Sequence, residues 1–356
     1  MAPGVRTPLC GALGIDYPVL SAGIGGGARA ELAAAVSSAG GLGVLGASAM
    51  PPDRLRVEVE RTRALTDRPF GINIIIDEDP NEDPEDDRAF FRSQIATAAE
   101  AGAAVVVLFW GDPSPYVAGA HDAGLSVLIQ VGSVDEAESA VEAGVDAVIA
   151  QGVEAGGHVR GTTSTWGLLP ATVEAVKPTP VIASGAIGDG SGLARALRLG
   201  GQGISLGTRF VASDEANAHP EYKRLVVSSK AEDTVLTADL YDVGWPNAPH
   251  RTLRNRTYDE WIGGGQPPPG ERPGEGTSIG RHELSSGRVA DWPRYGVGVA
   301  TPDFEGDLAY APLWMGESCS VIHDIKPAGE IVRDLVRDAQ AALTDFAETP
   351  PSADRP

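Results

Sequence analysis

The chain has 356 residues, 42% of them hydrophobic, which is room for one large α/β barrel or two domains around a sizeable core. A net charge of −21 argues against a nucleic-acid or anionic-membrane partner, both of which need a basic surface, and reads as solubility. Cys10 and Cys319 form no disulfide framework or Cys-x-x-Cys motif, no apolar run reaches transmembrane length, and the N-terminus lacks the apolar core of a signal peptide, so a cytoplasmic protein is expected.

Short apolar runs recur along the first 210 residues, at 18–23, 42–47, 70–75, 104–109, 126–131, 147–152, 180–185 and 203–208. Near-continuous apolar runs suit strands buried on both faces of a parallel sheet. Between them lie helix-like segments rich in Ala, Glu, Leu and Arg, such as 30–39, 53–65, 87–101, 135–143 and 192–199. Asp53 and Ser133 open two of the helices, and Gly40, Gly102, Gly124, Gly144 and Gly200 stand where left-handed caps end them. Eight such units predict a (β/α)₈ TIM barrel formed by residues 1–212 and 306–346, with an open doubly wound sheet as the alternative. Residues 213–305 carry few strand signals and many prolines. They are expected to form a mostly helical insertion beside the barrel mouth, with a mobile loop over the Gly/Pro-rich stretch 263–276. Residues 326–344 predict the last amphipathic helix, and the proline-rich tail 347–356 is expected to be disordered.

In such a barrel the chemistry lies at the C-terminal ends of the strands. The densest signal there is Gln151-Gly-Val-Glu-Ala-Gly-Gly-His158, a glycine-rich loop after strand six that carries Glu154 and one histidine. Glycine lets backbone approach a flat or charged ligand closely, and a histidine in that setting can accept a proton near neutral pH. Strand seven ends in Ser184-Gly-Ala-Ile-Gly-Asp-Gly190 and strand eight in Gly207-Thr-Arg-Phe210. Barrel phosphate sites are built from these two loops, so backbone N–H groups of Gly185, Ala186, Gly207 and Thr208, with the Thr208 hydroxyl, are candidates to hold a phosphate. Asn73 on strand three and Gln130 on strand five can hydrogen-bond a polar heterocycle. The scattered histidines show no metal-ligand spacing, so a phosphorylated planar cofactor is implied, best matched by FMN. The turn Gly23-Ile-Gly-Gly-Gly-Ala28 matches a dinucleotide fingerprint, but strand two ends Leu45-Gly-Ala-Ser-Ala-Met50 without the acidic residue which that reading requires. The acidic run 77–87 suits a solvated loop and helix start; facing the mouth, it would discourage highly anionic substrates.

The chain resembles the nitronate monooxygenase family, formerly called 2-nitropropane dioxygenases, over roughly residues 8–345. Gln151-Gly-Val-Glu-Ala-Gly-Gly-His158 is the most specific element. Ala39-Gly-Gly-Leu-Gly43, Phe70-Gly-Ile-Asn73, Ile182-Ala-Ser-Gly-Ala-Ile-Gly-Asp-Gly190 and Leu206-Gly-Thr-Arg-Phe-Val-Ala-Ser-Asp-Glu215 support it. Trp245-Pro-Asn-Ala-Pro-His-Arg-Thr-Leu-Arg-Asn255 is similar to part of the insertion in actinobacterial-type members. The resemblance implies an FMN-dependent (β/α)₈ enzyme that takes a nitronate or nitroalkane and O2 to a carbonyl compound and nitrite, and a homodimer is the expected assembly. It implies Ala22, Gly23 and Ile24 along the flavin ring, Asn73 and Gln130 at the ring or ribityl chain, and Gly157 and His158 at its reactive side. Gly185, Ala186, Gly207 and Thr208 would hold the phosphate, and His158 would be the catalytic base or hold the nitronate anion.

Three departures from the family pattern bear on chemistry. Ala22-Gly23-Ile24 stands where many members have Ala-Pro-Met, Gln130 where a lysine is commoner, and Ala186 where the phosphate turn has a second glycine. The missing lysine removes a positive charge that would favour anionic reduced flavin. A reductase passing electrons from NADH or NADPH to a quinone or an enoyl thioester would use the same fold and loops, and a flavin-binding protein with little turnover is the third reading.

Overall fold

The eight apolar runs form eight parallel strands in the computed structural model, which describes residues 4–78 and 83–348. They are β1 (Val19–Ser21), β2 (Gly43–Gly46), β3 (Phe70–Ile75), β4 (Val105–Phe109), β5 (Ser126–Val131) and β6 (Ala147–Gln151), then, after a short strand β7 (Gly157–His158) outside the sheet, β8 (Val181–Ser184) and β9 (Gly203–Leu206). Hydrogen bonding runs β1-β9-β8-β6-β5-β4-β3-β2. Leu20 bridges Leu42 in parallel, with Ser21 N–H donating to Leu42 O at 3.0 Å, so the sheet curls round to meet its first strand. This is the TIM barrel; an open sheet would leave β1 and β2 apart.

Helices Ala30–Ser38, Pro52–Leu65, Pro84–Ala101, Ser114–Asp122, Val134–Glu142, Thr165–Ala175 and Gly190–Arg198 follow successive strands, and Ala328–Glu348 is the last. All five glycines expected to end helices have positive φ. Ser133 caps its helix by accepting from Glu136 N at 3.2 Å, whereas Asp53 sits inside the first turn of a helix capped at Pro51. The short helix Pro8–Leu13 plugs the N-terminal end of the barrel: Leu9, Cys10 and Leu13 pack on Leu20, Val44, Leu128 and Ile182 inside it. With one mouth sealed by apolar packing, the open space lies at the other. No helix among the described residues is long and apolar enough to cross a membrane.

The segment after β9 departs from expectation. Residues 213–305 hold two α-helices, Pro220–Ser228 and Arg256–Gly263, but also β10 (Thr234–Thr237), β11 (His250–Leu253), β12 (Ser278–Glu283), β13 (Val289–Pro293) and β14 (Glu305–Gly306). The insertion is therefore mixed rather than mostly helical. Its strands pair mostly with one another, β10 with β11 and β12 with β13 and β14, but β11 also pairs antiparallel with β7 on its other side, His250 opposite His158. Stretch 263–276 is irregular, yet it is pinned by Arg272, whose side chain is 1% exposed; Arg272 donates to Asp242 Oδ1 at 2.6 Å, pairs with Glu275, and lies over the Tyr295 ring. Part of the acidic run, residues 79–82, and nearly all of the expected disordered tail, residues 349–356, lie outside the described residues.

Candidate active site

A cavity of about 280 Å³ opens at the C-terminal ends of the strands. Of the eleven residues singled out from sequence, ten line it: Ala22, Gly23, Ile24, Asn73, Gln130, Gly157, His158, Gly185, Gly207 and Thr208. Ala186 does not. Gly185 and Ala186 are both left-handed (φ 98° and 54°), so the chain turns sharply there and leaves Gly185 on the wall with Ala186 behind it.

The glycines serve two different ends. A Cβ at Gly23 would stand 2.3 Å from Asn73 Cβ, so Gly23 exists to let β3 come close. At Gly207 a Cβ would meet only Ala22 Cβ at 3.9 Å, and at Gly157 nothing within 4 Å, so these two leave a cradle that side chains would fill. Asn73 spends its amide N–H on Val107 O at 3.0 Å, and its Oδ1 has no partner among the described residues. Gln130 makes no side-chain hydrogen bond among them either. Thr208 Oγ1 accepts from Gly316 N at 3.0 Å and keeps its own hydrogen to donate.

The loop carrying His158 is braced from three sides. Gln151 Nε2 donates to His158 O at 2.9 Å, Arg251 donates to Val153 O through Nε and Nη2 at 3.2 and 3.0 Å, and Val159 N donates to Pro249 O at 2.7 Å. A Cβ at Gly156 would lie 2.4 Å from Gly316 N, so the loop also packs backbone to backbone. Glu154, a sequence candidate, accepts from Thr165 N and Oγ1, both at 2.9 Å, at the start of Thr165–Ala175; its work is local.

The imidazole of His158 sits in an aromatic box. Trp245 lies over it with ring centroids 3.9 Å apart at 33°, Trp314 is at 5.2 Å, His250 at 5.6 Å, and Trp110 stands edge-on at 6.1 Å. His158 Nε2 is shielded from solvent and has no hydrogen-bond partner among the described residues. Burial, with a smaller contribution from His250, lowers the His158 pKa to about 3, so the ring is neutral at physiological pH. His250 has both nitrogens engaged: Nδ1 with Ala248 O at 2.8 Å, and Nε2 accepting from Tyr241 N at 3.2 Å. Burial lowers its pKa too, and it packs against the His158 ring from behind the cavity wall. Sequence reading missed the three tryptophans. Trp245 stood within the quoted insertion segment, but nothing local tells that an indole on an exposed loop folds back over a histidine.

The donor set suits a flavin. Gly185, Gly207 and Thr208 form an open, side-chain-poor end fit for a phosphate, Asn73 Oδ1 and the Gln130 amide face the middle, and Ile24, Phe109 and Ile149 supply apolar walls. The fold and site define a class, a TIM barrel with a buried neutral imidazole at the wall of a largely apolar cavity on the C-terminal side of its strands. The family model for nitronate monooxygenase matches residues 6–338. The nitronate monooxygenase of Paraburkholderia phytofirmans is 30% identical over 94% of this chain and 96% of its own. The (3aS,4S,5R,7aS)-5-hydroxy-7a-methyl-1-oxo-octahydro-1H-indene-4-carboxyl-CoA dehydrogenase of Mycobacterium tuberculosis is 34% identical over 72% of this chain and 68% of its own. Among solved structures, FabK from Thermotoga maritima superposes with a TM-score of 0.75 at 32% identity, covering 96% of this chain and 99% of FabK. The chain belongs to the nitronate monooxygenase family, a family of flavin-using oxidoreductases.

Proposed function

We propose that the protein binds FMN and oxidises alkyl nitronates with O2 to a carbonyl compound and nitrite. The observation that carries this is His158, a neutral imidazole at the cavity wall whose Nε2 has no protein partner. A neutral imidazole accepts the α-proton of a nitroalkane, or donates an N–H to an oxygen of a preformed nitronate. Gly207, Gly185 and Thr208 would hold the FMN phosphate, and Asn73 and Gln130 would orient the heterocycle. Bound FMN would supply the acceptor for the substrate's electrons. Apolar walls and the indoles around His158 exclude water, which keeps the base uncharged and strengthens its polar contacts with substrate.

A second reading, reduction or dehydrogenation of a thioester or quinone, has two supports of its own. One relative is named as a carboxyl-CoA dehydrogenase. A second cavity of about 630 Å³ also adjoins the first, sharing Gly25 and Val297, Gly298 and Val299; its polar lining mixes Arg29, Arg54 and Arg61 with six carboxylates, including Glu31 and Glu283, and gives room for a long polar tail. The two readings are separated by anaerobic bleaching of flavin absorbance. Rapid bleaching by an alkyl nitronate, and none by NADH or NADPH, is expected; bleaching by a nicotinamide alone moves the protein to the reductase reading.

A further inference from the structure

We propose that Trp245 is a specificity-determining residue: its indole covers the imidazole of His158 and limits which substrates reach it. The idea rests on the oxidative reading above for the identity of the substrates, and on geometry for the cover itself.

Residues 243–247 form a loop whose ends are fixed. Val243 N donates to Tyr295 O at 3.1 Å, and at the other end buried Ala248 offers its carbonyl to the His250 ring at 2.8 Å. Between these anchors Val243, Gly244, Pro246 and Asn247 are exposed, and Trp245 alone is drawn inward to the cavity wall. Gly244 (φ 98°) and Asn247 (φ 58°), both left-handed, flank it. The indole lands on His158 with ring centroids 3.9 Å apart. The arrangement leaves two nitrogens, Trp245 Nε1 and His158 Nε2, shielded from solvent and without partners. Two facing heterocycles with both polar atoms unmet pack well but satisfy hydrogen bonding poorly, which is the condition of a contact built to be exchanged for a ligand.

Trp110 backs the cover. It stands edge-on to Trp245 at 4.9 Å and holds a left-handed backbone (φ 75°), which a bulky residue adopts only when its surroundings enforce it. The enforcement is visible: the Arg160 guanidinium lies 5.1 Å from the Trp110 ring centre and is itself paired with Glu136 at 2.7 Å. The indole therefore cannot retreat towards β4 and moves only outward with its loop. A slim, unbranched substrate reaches the imidazole under the cover, while a branched or ring-bearing one needs the indole displaced. The titratable group facing His158 is His250 on β11.

The test uses the flavin-loaded full chain with Trp245→Ala, with Trp245→Phe as the variant that keeps an aromatic cover and Trp245→Leu as a milder one that removes the ring over His158. The first readout is the NMR titration of the His158 Cε1–H correlation, identified by its loss in His158→Gln. The expected result is a midpoint at least one pH unit higher in Trp245→Ala than in the wild type, with Trp245→Phe near the wild type. The second is the ratio of kcat/KM for a branched against a linear nitronate, expected to rise at least tenfold in Trp245→Ala. If nitronates are not turned over, the ratio is taken for bulky against small quinones, so failure of the oxidative reading is seen separately. If Trp245→Ala does not fold, Trp245→Leu stands in for it. An unchanged midpoint, or an unchanged ratio, in a folded variant overturns the proposal.

Discussion

Replacing His158 by glutamine should make the protein less sensitive to acid. In the folded chain the imidazole titrates at about 3 because it is buried beside His250, whereas in the unfolded chain it titrates at its ordinary 6.5. The sign follows from proton counting. Below pH 6.5 the unfolded chain takes up a proton that the folded chain refuses until about pH 3, so stability is full above 6.5 and drains away as pH falls. At pH 5 the gap is about 1.5 units, worth about 2 kcal/mol at roughly 1.36 kcal/mol per unit. The assay is urea unfolding of flavin-free wild type and His158→Gln at pH 7.5 and pH 5, followed by circular dichroism and tryptophan fluorescence. The wild type should lose about 2 kcal/mol more than the variant between the two pH values. Equal losses would show that His158 titrates normally in the folded state, and the argument for a neutral, desolvated base would fall with it.

Four further outcomes follow from the site and its frame. His158→Ala should keep bound flavin yet lose roughly 100-fold or more in turnover of neutral nitroalkanes, the usual contribution of a general base; steady-state assay of a flavin-replete variant checks it, and full activity removes His158 from the mechanism. Gly207→Leu should fold with the wild-type Tm when flavin-free, since the cradle there is open, but bind FMN roughly 100-fold more weakly, about 2.7 kcal/mol, in a fluorescence titration. Gly23→Ala should cost about 1–3 kcal/mol, because its methyl collides with Asn73 Cβ, and Asn73→Gly should recover most of that loss in a double-mutant cycle. Arg272→Leu strands Asp242 and Glu275, so a loss of about 3 kcal/mol and new proteolytic cuts within 263–276 are expected; an unchanged digest would mean the stretch is held by something else.

The barrel was legible because burial on both faces leaves a plain mark. Runs such as Val105–Phe109 are apolar at every position, and the left-handed caps at Gly40 and Gly144 punctuate them. The insertion left a weaker mark. β11 reads His-Arg-Thr-Leu, all four residues buried, because it lies between β10 and β7; its strand character comes from a partner some ninety residues away. β12 does not alternate: it buries Ile279 and His282, three residues apart, because its register shifts at Ser278–Gly280, so no period of two marks it in the sequence. The same division runs through the site. Glycine loops announce themselves because the missing side chain is itself the signal, and His158 was found through them. Ala186 lies off the cavity wall, because only the turn's handedness decides which of two adjacent residues faces inward. Glu154 looked chemical in sequence and proved to be a helix-start partner.

The barrel and the insertion make different contributions to one histidine. β6 and its glycine loop bring His158 to the mouth, and the barrel loops supply the open cradle at Gly185, Gly207 and Thr208. The groups that dry the imidazole come mainly from later in the chain: Trp245 and His250 lie in the insertion, and Trp314 follows it. The link is physical as well as sequential, since β11 pairs with β7 and Arg251 on β11 holds the Val153 carbonyl. Remove the insertion and His158 would remain on its loop with water at its nitrogens and an ordinary titration. In the proposed reading, cofactor binding would belong to the barrel, while the desolvation of His158 and substrate access would belong to the insertion. Two chains sharing every glycine loop can differ in reaction if they differ in what covers this histidine, and in this chain the ring lying closest over it is Trp245.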